Sequence, residues 1–299
     1  MNVKNTVKVI LGFGALVAGY VVCFMISTTL LPSDPNTQLT PEQISAAGIA
    51  ILVVAVSNSL AIAIAIRRSR WHGWKLAGAI ALIFYGVYTF LAQIETLAYP
   101  AASAQMPTGM VNALFISGLA LAIPVSLLAV LVMGKARKSA EADPPNSHLN
   151  MPMKEWIWRF VTLAVLYPII YYVIGYYVTW RNPAAQTFYG GTDPGNFFAQ
   201  MRNVILTTPS VFLLQPVRAL LWTAISIPLI RMHKGGMLET ALTLGFLFAS
   251  LGGFQLLFPN PYMPEVVMRL HLSEVSLQNF CFGVAVGVIM LWRAESAQS

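Results

Sequence analysis

TPEQISAAGIAILVVAVSNSLAIAIAIRRSR, residues 40–70, decides the architecture. Residues 44–66 carry no charged side chain, and Arg67, Arg68 and Arg70 follow at once. A helix needs about 20 apolar residues to cross the hydrocarbon layer, and this stretch supplies them without interruption. Its start is marked as well. Thr40 can cap the first turn, Pro41 fits a first helical position, and Gln43 stands where a capping box needs it.

Similar runs lie near 7–31, 75–98, 108–133, 156–180, 209–230, 237–258 and 265–292, which makes eight predicted spans in all. Composition agrees. Hydrophobic residues make up 57% of the chain and charged residues 10%, with a mean hydropathy of +0.67. A soluble domain carries about 25% charged residues, so this chain has too few to solvate its surface. Strand barrels show short alternating segments instead of long apolar runs, so the fold class is all-α, a polytopic transmembrane helical bundle. Lys4 and Lys8 give the first run a basic start. No small-residue cleavage site follows it, which predicts a retained first span rather than a signal peptide.

Basic residues orient the bundle. On one side fall Lys4, Lys8, Arg67, Arg68, Arg70, Lys75, Lys135, Arg137, Lys138, Lys154, Arg159, Arg231, Lys234 and Arg293, and on the other only Arg181, Arg202 and Arg269. The positive-inside rule then predicts a cytoplasmic membrane protein with both termini cytoplasmic. Trp71, Trp74, Trp156, Trp158 and Trp292 would mark the inner interface and Trp180 the outer one. The net charge of +7 is thereby a topological signal and does not call for a nucleic-acid partner. Expected partners are the lipid bilayer and anionic headgroups at the basic, aromatic turn from Arg67 to Lys75. A homo-oligomer or a protein partner stays open.

The polar segment from Lys135 to Lys154, with Asp143-Pro144-Pro145, divides the chain into a four-span half at 1–134, a linker at 135–155 and a second half at 156–299. A weak echo suggests a 4+4 parallel repeat. At one offset Lys8 stands opposite Arg159, Tyr20 opposite Tyr171 and Pro32 opposite Pro183. At a second offset Leu76 stands opposite Leu238 and Gln93 opposite Gln255. The external loop, 181–208, predicts a short helix beginning at Pro194 under an Asp193 cap and carrying Phe197, Phe198 and Val204.

The candidate site comes from polar groups placed where lipid should not tolerate them. Arg218 lies ten residues past Thr208 and thirteen before Arg231, so at 1.5 Å per residue it is about 15 Å and 20 Å from the two ends of its helix. An arginine at mid-helix is costly to insert and should face the protein interior and an anion. Gln215, Arg218 and Trp222 share one face. Glu95 and Glu274 are the acidic residues that could answer Arg218. Gln93, with Tyr85, Thr89 and Thr96, makes a polar row beside Glu95, and His271, Glu274 and Gln278 form a stripe on the last span. Gln255 lies at similar depth beside Gly252-Gly253. These eight residues, Arg218, Glu95, Glu274, His271, Gln93, Gln215, Gln255 and Gln278, are expected to converge on an outward-opening polar cavity that binds a ligand.

No metal site is expected, since His271 and Glu274 lack a third intramembrane ligand, and no cofactor is implied. Cys23 and Cys281 both lie in spans and form no disulfide framework. Tyr167, Tyr171, Tyr172, Tyr176 and Tyr177 crowd the fifth span, where packing with hydroxyl hydrogen bonds is the simpler account. The first functional reading is a binding or transport protein for a small anionic or lipid-like ligand. A membrane-embedded enzyme acting on a lipid, with His271 and Glu274 as acid and base, and a non-catalytic subunit or sensor both remain open.

Overall fold

The computed structural model describes residues 3–32, 40–99, 106–137 and 149–292. Asp143-Pro144-Pro145 and His148 of the linker, and the basic residues Lys138 and Arg293, lie outside the described residues. The described residues form ten helices, α1 Val3–Thr28, α2 Pro41–Arg67, α3 Gly73–Ala98, α4 Met110–Val132, α5 Met153–Trp180, α6 Pro183–Tyr189, α7 Phe197–Thr207, α8 Pro209–Met232, α9 Met237–Leu257 and α10 Glu265–Leu291. All but α6 and α7 are long and apolar enough to cross a membrane, which gives eight spans. The protein is a helical membrane bundle.

Local chemistry starts the second span as the sequence predicts. The Gln43 amide donates to Thr40 Oγ1 at 3.2 Å, and the Thr40 amide donates to Gln43 Oε1 at 2.9 Å, closing a capping box. Two spans contain a π turn that sequence period alone does not announce. It covers Gly86–Phe90 in α3 and Gly175–Trp180 in α5. Each begins at a glycine pressed against a neighbour. A Cβ on Gly86 would sit 2.7 Å from Ile225 Cδ1, and one on Gly175 would sit 2.9 Å from Glu274 Oε1. A π turn resets the facing of everything after it, and such turns concentrate at functional sites.

The four spans of each half follow one packing plan. α1 packs on α2 and α4, and α3 packs on α4; likewise α5 packs on α8 and α10, and α9 on α10. The halves then meet reciprocally, α2 against α9 and α8 against α3. The turns after α2 and α8 pair in the same reciprocal way. The Arg70 amide donates to the Met232 carbonyl at 2.6 Å, and the Lys234 amide donates to the Arg68 carbonyl at 2.7 Å, around a bridge between Ser69 and His233. α9 and α10 are the most intimate pair, because Gly245, Gly283 and Gly287 bring their backbones together. A Cβ on Gly283 would lie 2.7 Å from the Leu244 carbonyl oxygen.

Basic side chains gather at one end of the bundle. Arg68 pairs with Glu239, Lys135 donates to the Ser69 carbonyl at 3.0 Å, and buried Arg159 donates to the carbonyls of Met290 and Trp292. At the opposite end the loop before α8 differs from expectation. It holds two helices, and α7 begins at Phe197, with the Ala199 amide donating to Asn196 Oδ1 at 2.9 Å. Asp193 instead takes the Gly195 amide at 2.9 Å and the Tyr176 hydroxyl at 3.2 Å. The reason is Gly195, whose φ of 95° is left-handed and cannot belong to the first turn of a helix.

Candidate functional site

α8 presents Gln215, Arg218 and Trp222 to the interior, all three buried. Helical spacing of three and four places them on one face, and packing against α3 and α5 covers that face. Opposite Arg218 stands Glu95, in the last two turns of α3. Arg218 Nη2 lies 2.7 Å from Glu95 Oε2, and Arg218 Nη1 donates to Gln215 Oε1 at 2.9 Å. The other carboxylate oxygen of Glu95 accepts the Tyr171 hydroxyl at 2.7 Å. The guanidinium also stands 5.6 Å and 5.8 Å from the ring centres of Tyr167 and Tyr171, within reach of a cation–π attraction. Arg218 Nε is buried and has no hydrogen-bond partner among the described residues.

A second cluster hangs from α10. Glu274 accepts from Thr179 Oγ1 at 2.5 Å and from Gln278 Nε2 at 2.8 Å, and it faces His271 Nδ1 at 2.9 Å. The far nitrogen of His271 meets the Tyr189 hydroxyl at 2.7 Å. Thr179 belongs to the π turn of α5, so that turn both aims Thr179 at Glu274 and, through Gly175, clears room for the carboxylate. Tyr99 joins the clusters. Its hydroxyl lies 3.1 Å from that of Tyr171, and its ring centre lies 6.1 Å from that of Tyr189. Burial pushes the phenols of Tyr99 and Tyr189 above their ordinary range. The Glu95 charge adds to the shift at Tyr99, and Glu274 adds to it at Tyr189, so both stay protonated as hydrogen-bond donors.

The structure thus brings Arg218, Glu95 and Gln215 into one contact group, and Glu274, His271 and Gln278 into an adjoining one. Arg218 and Glu274 form no ion pair. Gln93 Oε1 is buried without a partner among the described residues. Gln255 stands apart, its amide donating to the carbonyls of Tyr88 at 3.0 Å and Gly252 at 3.1 Å in the contact between α3 and α9. Helical depth put it level with the others, but depth says nothing of which neighbour a helix faces.

Four participants escaped the list of candidate residues. Thr179 is displaced by a π turn, Tyr99 and Tyr189 sit beyond helical periodicity, and Tyr171 is one tyrosine among many. The tyrosine-rich face of α5 was the available signal for Tyr171. Exposure grades across the site. The side chain of Glu95 is 25% exposed and that of Arg218 only 5%. Known families, curated proteins and solved structures were compared with this chain, and none matches it.

Proposed function

We propose that this protein binds, and as a transporter would carry, a small ligand bearing an anionic group at Arg218, reached from the end of the bundle opposite the basic loops. One observation carries the reading: a buried arginine with an unpartnered Nε–H is held by a carboxylate that is itself partly open. Glu95 acts as a resident counter-ion. An entering carboxylate or phosphate would take over Arg218, with Nε and Nη2 as a ready two-donor fork, while Glu95 turns outward.

Arg218→Gln tests this directly. Native mass spectrometry of wild type should show a discrete bound mass that the variant lacks while remaining folded. Equal retention by both would remove Arg218 from the site.

His271 held between Glu274 and Tyr189 favours a second reading, an acid–base pair acting on a lipid. Purified protein would then turn over a lipid, and Glu274→Gln would stop it. The orientation belongs to the proposal too. The gathering of basic side chains at one end supports that end as cytoplasmic, so the site would open outward. The shared packing plan of the two halves, and their reciprocal bridge at Ser69 and His233, support an origin as a 4+4 parallel duplication. Of the two reciprocal junctions, α8 with α3 carries the buried pair Arg218–Glu95. At the other, α2 with α9, stands the neutral triad Tyr20, Asn58 and Ser250.

A further inference from the structure

A furrow of about 1110 Å³ runs down the outer wall between α5 and α8. It follows α5 from Met153 to Val173, about 30 Å at 1.5 Å per residue, which is the thickness of the hydrocarbon layer. Among the described residues no charged side chain lines it. Small residues make it, since Ala164 and Pro168 form its floor while Val161, Val165 and Leu220 stand beside them. Phe197 and Phe198 of α7 line it at the end opposite the basic loops. Val161, Val165 and Leu220 are exposed on the wall of a membrane-spanning bundle, so hydrocarbon is what the furrow meets.

The furrow does not end blindly. Tyr172 lines it, and the Tyr172 hydroxyl is buried with no partner among the described residues. Its ring centre lies 5.0 Å from that of Tyr171, whose hydroxyl holds Glu95. Pro216, on the opposite wall, is chain neighbour to Gln215, the partner of Arg218. At its Tyr172 end the furrow therefore adjoins, through the ring of Tyr171, the side chains that hold Arg218.

We infer that the ligand of the Arg218 site is an anionic amphiphile whose single long hydrocarbon chain lies in the α5–α8 furrow, with its head group against Tyr172 and Arg218. This rests on the reading of Arg218 as an anion site and adds the class of ligand. The furrow holds and aligns the chain, and the arginine selects the anionic head, because lipid already offers the chain an apolar medium. Tyr172 gains the partner that its hydroxyl lacks.

The experiment uses the full chain in phosphatidylcholine nanodiscs and a long-chain fatty acid carrying a diazirine near its methyl end. Photolabelled residues are mapped with and without excess oleate, and butyrate binding is measured by calorimetry. The expected result is labelling confined to the Ile157–Ala164 stretch and abolished by oleate. It should fall at least tenfold in Ala164→Phe, which fills the floor, and in Arg218→Gln. Val165→Trp, on the exposed wall, serves if Ala164→Phe does not fold. Labelling spread evenly around the bundle, indifferent to oleate and to Ala164→Phe, means ordinary boundary lipid and overturns the inference. If butyrate binding is then lost in Arg218→Gln, the anion site stands and only the amphiphile falls. Furrow labelling untouched by Arg218→Gln overturns the anion site and the inference together. Crosslinked dimers through α5 would give the furrow to a second copy, which also overturns it.

Discussion

Removing the Glu95 charge should harm the fold more than removing the arginine that it answers. Glu95→Gln keeps the side-chain shape but leaves Arg218, 5% exposed, as a cation without a counter-ion. Breaking a buried pair from one side costs roughly 3–5 kcal/mol, and an unpaired mid-span arginine about 2.5–3.5 kcal/mol on insertion scales. The 25% exposure of Glu95 admits some water, which lowers the expectation to about 2–3 kcal/mol. Arg218→Gln leaves the opposite orphan. Glu95 keeps the Tyr171 hydroxyl and can be hydrated from its open side, so about 1 kcal/mol is expected. The double variant leaves neither charge and should recover part of the loss. For a chain of this size 1 kcal/mol moves Tm by about 2 °C. In scanning fluorimetry of detergent-purified protein, Glu95→Gln should therefore melt about 4–6 °C below wild type, Arg218→Gln about 2 °C below, and the double variant between the two. A double variant whose loss equals the sum of the single losses, or an Arg218→Gln protein less stable than Glu95→Gln, would refute the reasoning.

Gly283→Val should be among the most disruptive single changes outside the site, because its side chain would enter the Leu244 backbone; loss of monodisperse protein on size exclusion is the expected readout. Asn58→Ala removes bonds to Tyr20 and Ser250 yet should cost only about 0.6–1.7 kcal/mol, seen as a Tm shift of a few degrees with ligand binding unchanged. Asn196→Ala should release the first turn of α7, raising amide exchange there by about tenfold while the spans stay protected.

The spans were legible because insertion into lipid is decided by local composition. Each helix must satisfy its own backbone and present apolar side chains over some 20 residues, and both demands are written in consecutive residues. The capping box at Thr40 and Gln43 was readable for the same reason, since every atom involved lies within four positions. The isolation of Arg218 in an apolar helix was equally plain, and physics alone required a partner for it.

Which partner it found was a tertiary question. Glu95 and Glu274 were both candidates, and packing gave the first to Arg218 and the second to His271, Thr179 and Gln278. Two π turns changed the facing of α3 and α5 just before or within the site, and each begins at a glycine closed against a residue far away in sequence, Ile225 or Glu274. Gln255 drew a false expectation because a hydropathy pattern records depth but not azimuth; α9 turns it to α3 instead. The furrow between α5 and α8 was invisible for a like reason, as its walls are ordinary lipid-facing residues and only the crossing of two helices makes a channel of them. Sequence alone determined that this chain lives in a membrane, how often it crosses and where a charge is out of place. Side chains from helices distant in the chain decided which groups answer that charge, because neighbours across a bundle are set by packing and not by order along the backbone.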